Sequence, residues 1–297
     1  MLGIAHLSTI YHTSFILMGT HWLENQGIST EWKLFASGPD ILNAFEKKEI
    51  DIAYIGLPPA MIGIDRGINI ICVAGGHMEG TVLIAGKQYS TLDEMGDIAS
   101  TLAQFEGKII GSPPKGSIHD VIINNIINKH NIKIKNFAWA DFVLEALVDG
   151  EIQAAVGTPS LAVAASQACN ARIIIPPSSL WPNNPSYGIV IRKELPRDIV
   201  VKFLNQHERA CNFIRTNPEQ SANMVSRLVG IVDKDFVMHA YKVSPRYCAA
   251  LSKEFINSTM AFVPVLRSLG YISRSLSEQE IFEYRFIREV HKQPPHY

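Results

Sequence analysis

The stretch Gly107-Lys108-Ile109-Ile110-Gly111-Ser112-Pro113-Pro114-Lys115-Gly116-Ser117-Ile118-His119-Asp120, continued by an apolar-rich helical pattern to Ile127, decides how the chain is read. Ile109-Ile110 is a short buried strand. A loop of Gly, Pro and Ser follows, and Ser117 is placed to cap the next helix, its hydroxyl accepting from a free backbone N–H. A strand, a small-residue loop and a helix N-terminus gather backbone N–H groups where an anion or polar ligand can sit. The same residues also make an ordinary β-turn-α connection, and the stretch alone does not separate the two.

Upstream, Leu2 to Leu7, Glu31 to Phe35, Ile50 to Ile55 and Ile68 to Ala74 read as strands. Between them, helices follow the polar turn Ser8 to Ser14 (carrying Phe15 to Leu23), Ser37-Gly38-Pro39-Asp40, and Gly56-Leu57-Pro58-Pro59. Downstream the alternation resumes. Lys133 to Trp139, Glu151 to Val156, Arg172 to Ile175 and Tyr187 to Ile191 are strands, and Asp141 to Val148 and Ala162 to Ala168 are helices. Such alternation predicts parallel sheets covered by helices, with ligand beyond the carboxyl ends of the strands. From Asp198 onward the periodicity is helical, including one long stretch from Tyr247 to Leu269 and another from Ser277 to His291.

Two segments echo each other. Leu42-Asn43-Ala44-Phe45, Glu49-Ile50-Asp51 and Gly56-Leu57-Pro58 are matched by Leu144-Glu145-Ala146-Leu147, Glu151-Ile152-Gln153 and Gly157-Thr158-Pro159. Both read helix, turn, strand, rim loop. Chance similarity of two βα units is the plain alternative to two lobes facing each other across a cleft. With Thr81 to Ala85 and Tyr187 to Ile191 as crossings, the expected division is 1–85 plus 188–297 for one lobe and 86–187 for the other.

Bulk properties narrow the function. At 47% hydrophobic and 19% charged residues, the 297-residue chain has ample material for a core. A net charge of −1 argues against nucleic acid as partner. No apolar run is long enough to span a bilayer, so the chain is not expected to be transmembrane. Cys72, Cys169, Cys211 and Cys248 lack zinc or redox spacing and read as free thiols, with a disulfide left open. Met1-Leu2-Gly3-Ile4-Ala5 enters the first strand directly. That places the protein in the cytoplasm if Met1 is the true start, and in the periplasm or at the cell surface if an export signal is missing from the sequence.

Taken together, the first strand and its polar turn, Ser37-Gly38-Pro39, Glu49-Ile50-Asp51-Ile52-Ala53 with Gly56, Lys115-Gly116-Ser117 with His119, Gly150-Glu151-Ile152-Gln153-Ala154 and the helical segment Phe213 to Ala222 carry a resemblance. In their order and spacing the chain resembles the nitrate/sulfonate/taurine class of ABC-transporter substrate-binding proteins, a class that includes relatives of the thiamine-pyrimidine precursor synthase. The resemblance implies an α/β, two-lobe type II periplasmic-binding-protein fold with a hinge between the lobes and a helical C-terminal region packed on the first. It also implies a small-molecule ligand and an ABC permease as partner, with no cofactor. The cysteine-dense motif of the pyrimidine synthases is absent.

Matched position by position, the resemblance places ligand contacts at Ser8, Thr9, Tyr11, His12, Ser37, Gly38, Gly56 and Leu57 in one lobe. In the other they fall at Lys115, Gly116, Ser117 and Thr158. His77 and Glu79 near the first crossing, and Trp181 and Asn183 in the Pro176 to Pro185 loop, join them by position. Each has a plainer reading: Tyr11 and His12 as a packed capping turn, His119 as a support for its loop, Trp181 as core. His77 and Glu79 could act as an acid/base pair, but their spacing fixes no geometry. Neither they nor Asp51 and His12 show metal-site spacing, so no metal is expected. Lys115 could neutralise an anion. The expected function is binding of a small polar solute, with an anion as one candidate, for an ABC transporter by cleft closure. The alternative is a cytoplasmic enzyme on the same fold, acting on a small organic acid or a pyridoxal-type substrate.

Overall fold

The computed structural model describes residues 1–297, the side chain of Asp141 excepted. Ten strands form two five-stranded sheets. The strands are β1 (Leu2–His6), β2 (Thr30–Leu34), β3 (Ile52–Ile55), β4 (Ile70–Met78), β5 (Val82–Ala85), β6 (Ile109–Ser112), β7 (Lys133–Asn136), β8 (Ala154–Gly157), β9 (Arg172–Ile175) and β10 (Pro185–Arg192). The first sheet has the order β2-β1-β3-β10-β4 and the second β7-β6-β8-β5-β9.

Both sheets are mixed, where alternation alone predicts parallel ones. In the first, β10 runs antiparallel to β3 and β4, with Gly188 opposite Ile55. In the second, β5 runs antiparallel to β8 and β9, with Val82 opposite Gly157. The two antiparallel strands are those that follow the crossings, because a chain arriving from the other sheet enters against the grain of the βα units. Val82–Ala85 thus belongs to the second sheet by its pairing, whereas the sequence division attached it to the first.

Helices cover the sheets. They are α1 (Ser14–Met18), α2 (Gly38–Glu46), α3 (Leu57–Asp65), α4 (Leu92–Met95), α5 (Ile98–Ala103), α6 (Ile118–Ile126), α7 (Ala140–Val148), α8 (Pro159–Cys169) and α9 (Pro177–Leu180). Seven more form the C-terminal region: α10 (Arg197–Thr216), α11 (Pro218–Val229), α12 (Lys234–Val243), α13 (Lys253–Met260), α14 (Phe262–Ser268), α15 (Glu278–Ile281) and α16 (Arg285–Val290). α1 stops at Met18, so Trp22 and Leu23 lie beyond it. The stretch from Tyr247 divides into α13 and α14, and that from Ser277 into α15 and α16. Ser244-Pro245 and Gly270 fall between helices, where turn residues belong.

The apolar strands sit between helical layers, and three buried clusters result. One backs the first sheet against α1 and α10 to α12. Another backs the second sheet against α7 and α8. The third runs unbroken from α2 and α3 in the first lobe to Ile110, Val121 and Ile122 in the second. The join is close: a Cβ on Gly56 would come within 3.3 Å of Ile118. The lobes therefore touch through apolar surface along one side of the interface, next to the rim loops. Most of the C-terminal helices lie on the first lobe, while α12 also packs on α8 and α14 on α6. All four cysteines are free.

Candidate functional site

The ends of β1, β2, β3, β6 and β8 deliver five polar loops to the interface, each leading into a helix. Three of these helices are capped by a hydroxyl in the same way. Ser37 Oγ accepts from Asp40 N–H at 3.4 Å, Ser117 Oγ from Asp120 N–H at 3.3 Å, and Thr158 Oγ1 from Leu161 N–H at 3.2 Å. α3 is led by Gly56, with Pro58 and Pro59 in its first turn. The first backbone-to-backbone bonds of these helices are made by Ile41, Ala60, Val121 and Ala162 N–H groups. The N–H groups ahead of them, such as those of Gly38, Leu57, Ile118 and His119, are the free donors of a helix start.

These four N-termini, two from each lobe, face one small cavity of about 60 Å³. Ser8, Thr9, Tyr11, His12, Ser37, Gly38 and Gly56 line it from the first lobe, and Ser117 and Thr158 from the second. So do His119 and Ser186, which sequence reasoning did not place among the ligand residues. Among the described lining residues none is Lys, Arg, Asp or Glu. No formally charged side chain lines the cavity; helix dipoles point into it, and the carboxylates of Asp40 and Asp120 in the first turns of α2 and α6 offset part of that field.

The polar side chains that line it are neutral. His12 is 2% exposed and its Nδ1 has no partner. Desolvation, reinforced by the neighbouring imidazoles of His77, His6 and His119, holds its pKa well below the ordinary value. Burial pushes His119 down to about 4, while its Nδ1 shares a 3.0 Å hydrogen bond with Thr81 Oγ1. Tyr11 OH and Ser186 Oγ share another at 3.1 Å. The His12 ring lies against Tyr187 with centroids 4.0 Å apart.

The tautomer of a second-layer histidine can be assigned. His207 Nε2–H donates to Gly75 O at 2.8 Å, so Nδ1 accepts from Thr13 Oγ1 at 3.0 Å. Thr13 Oγ1 must then accept from Tyr187 OH, also at 3.0 Å. This chain fixes the Tyr187 ring on which His12 rests.

The loop Pro113 to Gly116 is held from behind. Asp120, 1% exposed, accepts from Gly116 N–H at 2.9 Å, Asn136 Nδ2 at 2.8 Å, Asn124 Nδ2 at 3.0 Å and Tyr271 OH at 2.6 Å. Gly116 has φ +79°, a conformation glycine adopts without strain. That geometry turns Lys115 outward, exposed and away from the cavity. Neither Lys115 nor Gly116 lines it, so the expected neutralising lysine is not in this site. Leu57 is fully buried in the core that joins the lobes, and its side chain does not line the cavity either.

The four residues placed by position lie elsewhere. His77 falls inside β4, 1% exposed; its Nε2–H donates to Ser244 O at 2.6 Å and its Nδ1 has no partner. Glu79 sits at the crossing with φ +62°. Its Oε1 accepts from Arg246 Nη1 at 2.7 Å and from Asn183 N–H at 3.0 Å. Asn183 Oδ1 accepts from the same Arg246 nitrogen at 2.9 Å. Glu79 and Asn183 thus bind the two crossing segments together through Arg246. Trp181 stacks on Phe262, centroids 4.1 Å apart, and its Nε1–H donates to Ser258 Oγ at 3.0 Å. It is core.

On the side of Ser8, Thr9, Ala140 and Thr158 the cavity adjoins a wider groove of about 550 Å³, lined mainly by apolar side chains that include Phe15, Met18, Leu144, Leu161 and Phe236. No helix of the structure is long and apolar enough to cross a membrane.

The sequence model of the NMT1-like family matches residues 1–229. No curated protein matches the sequence. Solved structures do. The ligand-binding component of an ABC-type import system from Staphylococcus aureus, with zinc bound, superposes with a TM-score of 0.80 at 16% identity, over 98% of this chain and 99% of that one. The alkanesulfonate-binding protein SsuA from Xanthomonas axonopodis pv. citri, bound to MOPS, gives 0.78 at 15% identity, over 95% and 97%. The periplasmic nitrate-binding protein NrtA from Synechocystis PCC 6803 gives 0.78 at 11%, over 98% and 88%. At these identities the likeness shows the fold, the two-lobe periplasmic-binding-protein fold.

Proposed function

We propose, from the premise that the chain belongs to the NMT1-like family, that it is the solute-binding component of an ABC-type importer and that its solute carries a small anionic group. The observation that carries this reading is the convergence of four helix N-termini, two from each lobe, on one uncharged polar cavity. Each N-terminus favours an anion by about 0.3–1 kcal/mol when exposed, and by up to about 2 kcal/mol in partly buried geometry. The hydroxyls of Ser117 and Thr158 accept the capping bonds, so their protons remain to be donated. The imidazoles of His12 and His119 add neutral donors. A cavity of about 60 Å³ suits a head group of a few atoms, and the apolar groove beside it can take an aliphatic or aromatic remainder. The importers' binding components among the similar folds support the transport role and a permease as partner.

A ligand held by Ser37 and Gly56 on one side and Ser117 and Thr158 on the other touches both lobes only when the cleft is shut. It therefore shifts the population toward the closed form. The test is a calorimetric and thermal-shift titration with small organic sulfonates, carboxylates and nitrate. At a ligand concentration 100-fold above Kd, stabilisation is about 2.7 kcal/mol, or several degrees in Tm for a chain of this size. Ser117→Tyr fills the cavity and removes one cap, costing about 1 kcal/mol without ligand. Its ligand-induced rise in Tm is expected to vanish. A full rise in the variant would move the binding site elsewhere, and conversion of the ligand to product would favour an enzyme.

A further inference from the structure

Beyond α16 the segment 291–297, without helix or strand of its own, folds back beside α10 and brings two histidines to a glutamate. His291 Nδ1 lies 3.0 Å from Glu208 Oε1. The side chains of His291 and Glu208 are only 4% and 15% exposed, and Glu208 Oε2 is buried with no hydrogen-bond partner. His296 meets His291 edge to face, with centroids 5.1 Å apart. One donor atom each from Glu208, His291 and His296 lies within 4.8 Å of the others. An orphaned carboxylate oxygen beside two imidazoles offers lone pairs to a cation, and the Arg215 guanidinium, its Nη1 buried without a partner, stands near them.

We propose that Glu208, His291 and His296 form a binding site for one divalent transition-metal ion, with Zn²⁺ as the type case. Zinc bonds to nitrogen and oxygen of about 2.0–2.2 Å put two ligands of a tetrahedral ion roughly 3.3 Å apart. A spread within 4.8 Å closes to this by rotation of His296, which no regular element restrains. Two imidazoles and one carboxylate select zinc, nickel, cobalt or copper over magnesium and calcium, which prefer all-oxygen shells. Water can complete the coordination from the side of His296, which is half-buried in a segment without regular structure. The carboxylate is already oriented: Asn212 Nδ2 donates to Glu208 Oε1 at 3.0 Å, and Arg215 Nη2 donates to Asn212 Oδ1 at 2.7 Å. Such outer bonds hold a ligand in place.

The ion would pin a segment that reaches the crossing between lobes. Tyr297 lies over the Arg246 guanidinium, 5.2 Å from ring centroid to Cζ, and Arg246 is the residue that joins Glu79 to Asn183. It would also hold His291 beside the buried thiol of Cys248, whose Sγ is 3.8 Å from His291 Nε2.

The test uses the untagged full chain, stripped with EDTA and titrated with Zn²⁺ alone against a chromophoric chelator. One ion per chain is expected. Glu208→Gln and His296→Ala should each weaken binding by about tenfold or more, while His239→Ala, at an exposed histidine on α12, should not. Deletion of residues 292–297, none of which is buried, should remove the site without disturbing the core. With zinc bound, alkylation of Cys248 read by peptide mass spectrometry should slow. Absence of stoichiometric binding, or binding that survives both His296→Ala and the deletion, overturns the proposal.

Discussion

His12, His77 and His207 are each at most 2% exposed and are held neutral by burial, the latter two with pKa pushed down to about 4. Their folded pKa lies below the unfolded value near 6.5. The unfolded chain therefore binds more protons between those limits, and stability is full above about pH 6.5 and declines as pH falls toward 4. The slope is on the order of 1 kcal/mol per pH unit for each such histidine. Thermal melts from pH 7.5 to 4.5 should show Tm falling throughout the lower half of that range, and less steeply in His207→Gln. A flat profile would mean that these rings are solvated. The same neutrality matters for binding. A cavity without formal charge discriminates by hydrogen-bond geometry, and an anion that enters it raises the pKa of His12 by favouring the imidazolium.

At the scale of elements, the rim loops and the places of the crossings were legible, and the contacts made at the crossings were not. Ser37, Ser117 and Thr158 announce helix starts because a hydroxyl three residues ahead of a free N–H is a local pattern, and all three line the cavity. Lys115 and Leu57 belong to the same loops, yet their side chains turn away. In a tight turn one residue's φ decides which neighbour faces the cleft, and Gly116 at φ +79° turns Lys115 to solvent. Glu79 and Asn183 lie near the cleft in sequence order, but their common partner is Arg246, 167 and 63 residues distant. No local pattern carries that pairing. Asp120 was missed for the same reason, since Asn136 and Tyr271 complete its shell from afar. Glu79 is 10% and Arg246 27% exposed at the side chain. Arg246→Ala strands a largely buried carboxylate and should cost about 2–3 kcal/mol, below the full value for a buried pair because Arg246 is partly solvated. The double substitution Glu79→Gln with Arg246→Met should recover most of that loss in denaturant melts. Equal losses would show that the pair is not coupled.

For the whole molecule, two mixed sheets meet through continuous apolar packing on one side and a polar cavity on the other. The fold class and the facing lobes were readable from the alternation and the internal echo. The antiparallel β5 and β10 were not, because strand direction depends on where the chain re-enters a sheet. If solute binding closes the cleft, small-angle scattering should show a smaller radius of gyration with ligand than without. An unchanged radius would point to a rigid receptor instead. The most direct measurement is native mass spectrometry of the protein purified without denaturation. The wild-type chain should release a small, chemically unaltered anion, one per chain, and Ser117→Tyr should carry none. The same anion retained at full occupancy by Ser117→Tyr, or a released cation in its place, would contradict this expectation.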